Sequence, residues 1–161
     1  MAIARVQSAS SSANSGGGGG SSVSVTWGAA TTTGNHLVAV VCTSSDTSAN
    51  SIGAPAGWTQ AKRIQILATS PNFCDVYIYY RENAASQSST GSWSVSSGSA
   101  DSVICVAVAE YSGLATASSL DQAPTGVIGT STSPASGTTG TTSTADELLI
   151  VGLGSDVSGV Y

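Results

Sequence analysis

Nucleophilic chemistry needs a base beside the nucleophile, and this chain offers one histidine, His36, among 31 serines and 18 threonines. His36 follows the turn-forming pair Gly34-Asn35 and opens the apolar run Leu37-Val38-Ala39-Val40-Val41-Cys42. With so many hydroxyls a Ser–His pair is conceivable, but a histidine at a turn or strand edge is the plainer reading. The sequence contains no Gly-x-Ser-x-Gly elbow, the strained turn that presents a nucleophilic serine. Glycoside hydrolysis needs two carboxylates ~5–9 Å apart across a cleft. Asp146 and Glu147 are neighbours, so on an extended chain they point to opposite faces. Glu82, Glu110 and Asp121 can cooperate only if the fold gathers them.

Metals and cofactors fare no better. Asp46, Asp121 and Asp156 supply hard oxygens suited to calcium, but no closely spaced Asp/Asn cluster accompanies them. Cys42, Cys74 and Cys105 are far apart and form no Cys-x-x-Cys or Cys/His spacing, so zinc is unsupported. Gly152-Leu153-Gly154 lacks the third glycine of a phosphate-binding turn and the helix that should follow it. No catalytic residue, metal ligand or cofactor site is expected. The three cysteines are an odd number inside apolar runs. Buried thiols are the first expectation for them, and a bridge between neighbouring strands the second.

Aromatic side chains carry the remaining chemistry. Trp27 and Trp93 continue the apolar face of alternating segments and read as core. Trp58, after Pro55 and Gly57, reads as a cap on one end of the fold. The run Cys74-Asp75-Val76-Tyr77-Ile78-Tyr79-Tyr80-Arg81 has two faces. Cys74, Val76, Ile78 and Tyr80 are expected inward. Asp75, Tyr77, Tyr79 and Arg81 are then expected outward, as a subunit interface, a glycan-contact face or a surface covered by a loop, since tyrosine with arginine is typical of protein contacts and aromatic faces stack on sugar rings.

The elements that must position these residues are strands. Val23, Val25 and Trp27 alternate with Ser24 and Thr26, and Trp93 and Val95 alternate with serines, the period-two pattern of half-exposed antiparallel strands. Residues 37–42, 103–109 and 148–153 are continuous apolar runs with Gly, Ser or Asp flanks, which predicts fully covered central strands. Nine strands are predicted, near residues 3–9, 22–27, 36–43, 58–66, 74–82, 91–96, 102–111, 136–142 and 147–155. Turn-forming clusters separate them, glycines 16–20 among these as a loop between the first two. This is an all-β chain, a two-sheet antiparallel β-sandwich of jelly-roll-like type, with residues 1–161 as a single domain.

Composition agrees. Ser, Thr and Gly account for 68 of the 161 residues, only 13 are charged, and the net charge is −5. Four Lys and Arg cannot neutralise a nucleic-acid backbone, so no nucleic-acid partner is expected. A charge content of 8% argues against helical bundles, and 40% hydrophobic residues argue against a disordered tail. The longest apolar run, 103–109, falls short of the ~20 residues a membrane span needs, so no membrane partner is expected. Met1-Ala2-Ile3-Ala4-Arg5-Val6-Gln7 has no basic stretch followed by an apolar core, so no secretory leader is expected. A hydroxyl-rich, lysine-poor, acidic chain of this kind suits life outside a cell, which points to a virion as its location. A bacterial cell surface, or secretion, is the alternative.

Four pieces in order carry a family resemblance. They are Val6-Gln7-Ser8-Ala9-Ser10 with Ser22-Val23-Ser24-Val25-Thr26; Thr33-Gly34-Asn35-His36-Leu37-Val38-Ala39-Val40-Val41, then Pro55, Gly57-Trp58-Thr59 and Val76-Tyr77-Ile78-Tyr79-Tyr80-Arg81; Ala109-Glu110-Tyr111-Ser112-Gly113-Leu114 with Leu120-Asp121; and Thr144-Ala145-Asp146-Glu147-Leu148-Leu149-Ile150. Together they span nearly the whole chain, which resembles the concanavalin-like/jelly-roll β-sandwich modules of bacteriophage structural proteins and bacterial surface proteins. The resemblance implies a structural or adhesive role rather than a reaction. In such modules further strands follow the Asp-Glu-Leu-Leu piece, whereas this sequence ends at Tyr161. Either the chain continues or another chain completes the sandwich. The expectation is a non-enzymatic structural protein of a bacteriophage particle (head decoration, fibre or tail-associated) partnered by itself as a homo-oligomer or by other virion proteins. The alternative is a carbohydrate-binding or adhesin module with a surface glycan as ligand.

Overall fold

Alternating apolar and hydroxyl side chains put the chain into strands, as a computed structural model of residues 2–14, 21–45, 51–66, 73–96, 102–129, 133 and 135–154 describes. The strands are β1 (Ala4–Asn14), β2 (Ser22–Thr26), β3 (His36–Ser45), β4 (Ser51–Gly53), β5 (Thr59–Ile66), β6 (Phe73–Arg81), β7 (Ser89–Ser96) and β8 (Ser102–Ser112). A five-stranded sheet ordered β1-β8-β3-β6-β5 packs on a three-stranded sheet ordered β2-β7-β4, and every pairing is antiparallel. The nested pairs β1·β8, β2·β7 and β3·β6 are those of one long hairpin rolled up on itself, the jelly-roll wrapping. β5 departs from that pattern by pairing with β6, its chain neighbour, instead of β4.

Along β2, β3, β6, β7 and β8 one residue in two enters the core between the sheets. Leu37, Ala39 and Val41 of β3, Ile104, Val106 and Val108 of β8, and Tyr77 and Tyr79 of β6 come from the large sheet. Val23, Val25, Trp93 and Val95 meet them from the small one, with Trp27 beyond the end of β2. Trp93 is fully buried, and its ring contacts both Trp58 and Tyr79 edge-on, each at 5.1 Å between centroids. Its Nε1 donates to Thr90 Oγ1 at 3.1 Å, a hydroxyl that also accepts from the Val25 amide. Trp27 is buried as expected, and Trp58, expected as an end cap, is buried too, in the loop before β5.

Four expectations are corrected. The faces of β6 are exchanged: Asp75, Tyr77 and Tyr79 point between the sheets and are buried, and Arg81 shares their side at the strand end, half-exposed. Cys74, Val76, Ile78 and Tyr80 occupy the opposite face. Alternation fixes that two faces exist but not which one meets the second sheet, and both faces of this strand are apolar enough to be covered. The second correction is β4, three residues inside a stretch expected to be turn only.

Third, residues 136–142 and the described part of 147–155 form no strand. Residues 148–154 instead cross the outer face of the large sheet, where a Cβ on Gly152 would lie 3.0 Å from Val76 and 3.1 Å from Val40. The chain reaches that face by reversing at Gly113, whose φ of +85° and close approach to the Ala2 carbonyl exclude other side chains. Fourth, the outer face is only partly covered. Along β8, Ile104, Val106 and Val108 are buried while Cys105 and Ala107 are exposed, so this run is not a doubly covered strand. The thiols grade from buried (Cys74) through half-buried (Cys42) to exposed (Cys105), not uniformly buried. Glycines 16–20, Asp46 and Asp156 lie outside the described residues.

Trp93 fills the centre of the interior and satisfies its own N–H, so Trp93→Ala should cost about 3–5 kcal/mol of unfolding free energy. Denaturant titration followed by far-UV circular dichroism reads that loss directly. Ser92→Ala, on the exposed side of the same strand, should change it by less than about 0.5 kcal/mol.

Candidate functional site

Polar chemistry collects at one end of the sandwich, where β2 leads to β3, β6 leads to β7, and β8 runs out. The loop of residues 27–35 is laced to that of residues 82–88. Trp27 N donates to Ser88 O (2.9 Å), Thr31 N to Gln87 O (3.0 Å), Ala84 N to Asn35 O (2.9 Å) and Gly34 N to Ala84 O (3.0 Å). Asn83, at φ 45°, makes the left-handed turn that asparagine tolerates, and Ala84 beside it is fully buried. Two carboxylates close this end, one on each side of the large sheet.

On the inner side is Glu110, the last buried residue of β8 and itself fully buried. It accepts from Gln7 Nε2 at 2.6 Å, the Thr32 amide at 2.7 Å and Asn35 Nδ2 at 2.6 Å. Gln7 also exchanges hydrogen bonds with the Ala29 backbone, accepting at 3.2 Å and donating at 3.1 Å. One carboxylate thus joins β1, β8 and the loop before β3. Burial pushes its pKa up, but the three donors outweigh burial and hold it below the usual glutamate value.

On the outer side Glu82, just past β6, accepts from two successive amides, Ser118 at 3.2 Å and Ser119 at 2.6 Å, and from the Ser119 hydroxyl at 2.7 Å. Ser118 has φ 52°, the left-handed conformation that turns both amides toward one anion. These bonds, led by that from the Ser119 amide, lower the Glu82 pKa. His36 Nε2 lies 2.9 Å from the same Ser119 oxygen.

The chain's one histidine therefore does stand beside a serine, and proton counting decides what the pair can do. Ser119 has a single hydroxyl proton, and the charge-assisted bond to Glu82 takes it. His36 Nε2 must then be the donor toward Ser119 Oγ, which leaves Nδ1 as the acceptor nitrogen. Nδ1 is buried without a hydrogen-bond partner among the described residues. Burial lowers the His36 pKa despite the nearby Glu82 charge, in keeping with a neutral ring. A general base would need Nε2 as an acceptor of the serine proton. This trio instead ties residues 118–119 to the sandwich.

The other candidate carboxylates have separate duties. Asp121 accepts from the Ser143 amide (2.8 Å) and hydroxyl (2.7 Å), and Glu147 from the Thr144 amide (3.2 Å) and hydroxyl (3.0 Å). Among the described residues Glu82, Glu110 and Asp121 share no hydrogen-bond partner. Among the described residues no three His, Cys, Asp or Glu side chains are grouped to hold a metal ion.

Of the four residues expected to form an outer contact face, three are inside. Asp75 is paired with Arg63 at 3.0 Å, and the Tyr77 hydroxyl lies 3.4 Å from the same carboxylate oxygen. The Tyr77 and Tyr79 rings stack at 6.0 Å, with the Arg63 guanidinium 5.2 Å from the Tyr77 centroid. Burial raises the pKa of both phenols. Arg81 donates to Gln87 at 2.8 Å and braces the loop after β6.

Sequence reasoning did not assign Gln7, Thr32, Asn35 or Ser119 to these clusters. Their chain separations from the carboxylates they serve run from 37 to 103 residues. The Glu-Tyr-Ser-Gly-Leu piece was the one signal, since it holds Glu110 and the reversing Gly113 together. No known protein family, curated protein or solved structure matches the chain. The likeness to jelly-roll modules therefore stands on the two-sheet sandwich itself.

Two outcomes follow. Because the folded pKa of Glu110 is depressed, its contribution is present above roughly pH 4.3, the unfolded value, and is lost as pH falls through the lower folded value. Glu110→Gln sets an amide donor against donors, so it should cost about 1.5–3 kcal/mol at neutral pH and flatten the acid limb of stability. Urea titrations at constant salt, from roughly pH 3 to roughly pH 7 so as to bracket the carboxylate range, measure both effects. Ser119→Ala removes the hydroxyl shared by His36 and Glu82. Amide hydrogen exchange should then quicken in residues 113–129 while protection in β3 and β8 is kept.

Proposed function

We propose that this chain is a non-enzymatic structural protein of a virus particle, a bacteriophage head-decoration, fibre or tail-associated β-sandwich that acts by packing against copies of itself or other virion proteins. The observation that carries the reading is apolar surface left open on the outer side of the large sheet. Leu149, Val151 and Leu153 are 73%, 55% and 56% exposed, at alternate positions of one extended segment. Val127 and Ile128 are equally open on the preceding segment. β1 adds an edge strand of eleven residues. A chain with few charges that still presents such surface is built to be covered.

Magnitudes favour an assembly over an isolated pair. Full burial of a leucine or valine yields about 1.5–3 kcal/mol, part of which these residues already have. Association costs an estimated 4–15 kcal/mol in lost freedom, so a stripe this short holds weakly between two copies. In a lattice the neighbours are already positioned and the same contact is repeated, which turns weak pairs into a stable whole. The alternative of a carbohydrate-binding or adhesin module has less support, because a sugar would have to find a platform other than Tyr77 and Tyr79.

Sedimentation velocity over a concentration series should show reversible self-association of the purified chain. Leu149→Ser combined with Val151→Ser and Leu153→Ser should return it to monomer with its unfolding midpoint unchanged. A wild-type chain that stays monomeric throughout and binds on a glycan array would replace this reading with the adhesin one.

A further inference from the structure

The three cysteines share the outer face of the large sheet, and two of them are directly opposed. Cys42 of β3 pairs in register with Cys105 of β8. Opposed residues of an antiparallel pair have Cα atoms about 4.5–5.5 Å apart, within the roughly 4.4–6.8 Å window of a disulfide. Cys74 does not compete: its opposite on β3 is Ser44, and Cys42 faces Val76. A diagonal pair stands about 7–8 Å apart, beyond what a disulfide spans without backbone movement.

Both opposed thiols line one open groove of about 510 Å³, walled by Ser10, Ser12, Val40, Ala107 and Leu153. Cys105 is exposed at its floor, while Cys42 is half-buried and directs its S–H at the Leu153 carbonyl, 3.4 Å away. We propose that Cys42 and Cys105 are a reversible dithiol–disulfide pair, oxidised by a small-molecule disulfide of the glutathione type that enters this groove. Cys105, as thiolate, attacks one sulfur of that disulfide, forms a mixed disulfide and releases the first small thiol. Cys42 then gives up its proton and attacks the Cys105 sulfur, closing the intramolecular bond and expelling the second. Two protein thiols are oxidised, one external disulfide is reduced to two thiols, and the two protein protons end on those products.

The order of attack follows from the surroundings. Burial, with the neighbouring Cys105 adding to it, pushes the Cys42 thiol up to about 11, so it is the slower nucleophile and the resolving one. Its turn from Leu153 toward Cys105 also removes the one hydrogen bond described between that thiol and the segment crossing the sheet.

The test is incubation of the folded, reduced chain with oxidised glutathione, followed by intact-mass measurement and peptide mapping without reduction. The expected product has lost two hydrogens, retains no glutathione and links the Cys42 and Cys105 peptides. The Cys74→Ser variant should give the same product. Cys42→Ser should stop at a stable glutathione adduct on Cys105, and thermal unfolding of each reduced variant checks that it is folded. A wild-type chain that keeps its adduct, links Cys74 instead, or forms only bridges between chains would overturn the proposal.

Discussion

The indole of Trp93 needs walls for its ring and an acceptor for its N–H, and the two sheets meet at the separation and register that supply both. Tyr79 comes from the large sheet, Trp58 from the loop leading into it, and Thr90 from the same strand as the indole. With so few charged side chains available, cohesion rests on edge-to-face aromatic contact and on β-branched residues filling the space around it. That dependence explains where the β6 tyrosines go. The Tyr79 ring packs on Trp93 and the Tyr77 ring stacks on Tyr79, and their hydroxyls reach polar partners, Asp75 for Tyr77 and Gln60 for Tyr79.

A sandwich must also be closed at its ends, because the loops there carry backbone groups that need partners. Here the closure is made by two carboxylates with neutral donors rather than by salt bridges. Glu110 collects three donors from distant parts of the chain on the inner side, and Glu82 collects the Ser118–Ser119 turn on the outer side. Hydrogen bonds to a charged acceptor are about twice as strong as neutral ones, so a charge-poor sequence gains most by spending its acids in this way. His36 belongs to the same closure, and its role follows from Glu82 having the first claim on the Ser119 proton.

The outer face of the large sheet follows a different rule. Residues 148–154 lie on it through Ile150, Gly152 and Gly154, and turn Leu149, Val151 and Leu153 away from it. An apolar segment with two covered faces is the usual companion of a sheet, but here only one face is covered. The open groove with its two thiols and the exposed stripe are neighbours on this side, so packing and redox chemistry would both be expressed there and not at the closed end.

What the residues determined by themselves was the class of fold and most of its elements. Seven of the strands follow from alternation and turn residues, because side-chain period and turn chemistry are local properties. The burial of Trp27 and Trp93 was legible for the same reason. Tertiary structure alone decided which face of β6 looks inward, since a period of two is unchanged when the strand is flipped. It alone decided that residues 148–153 cross a sheet instead of joining one: β-branched composition describes a strand former, but a ladder also needs a free edge beside it. The partners of Glu110, Glu82 and Cys42 were equally hidden, because they are brought close by the rolling of a hairpin across the whole chain, and no local pattern records that distance.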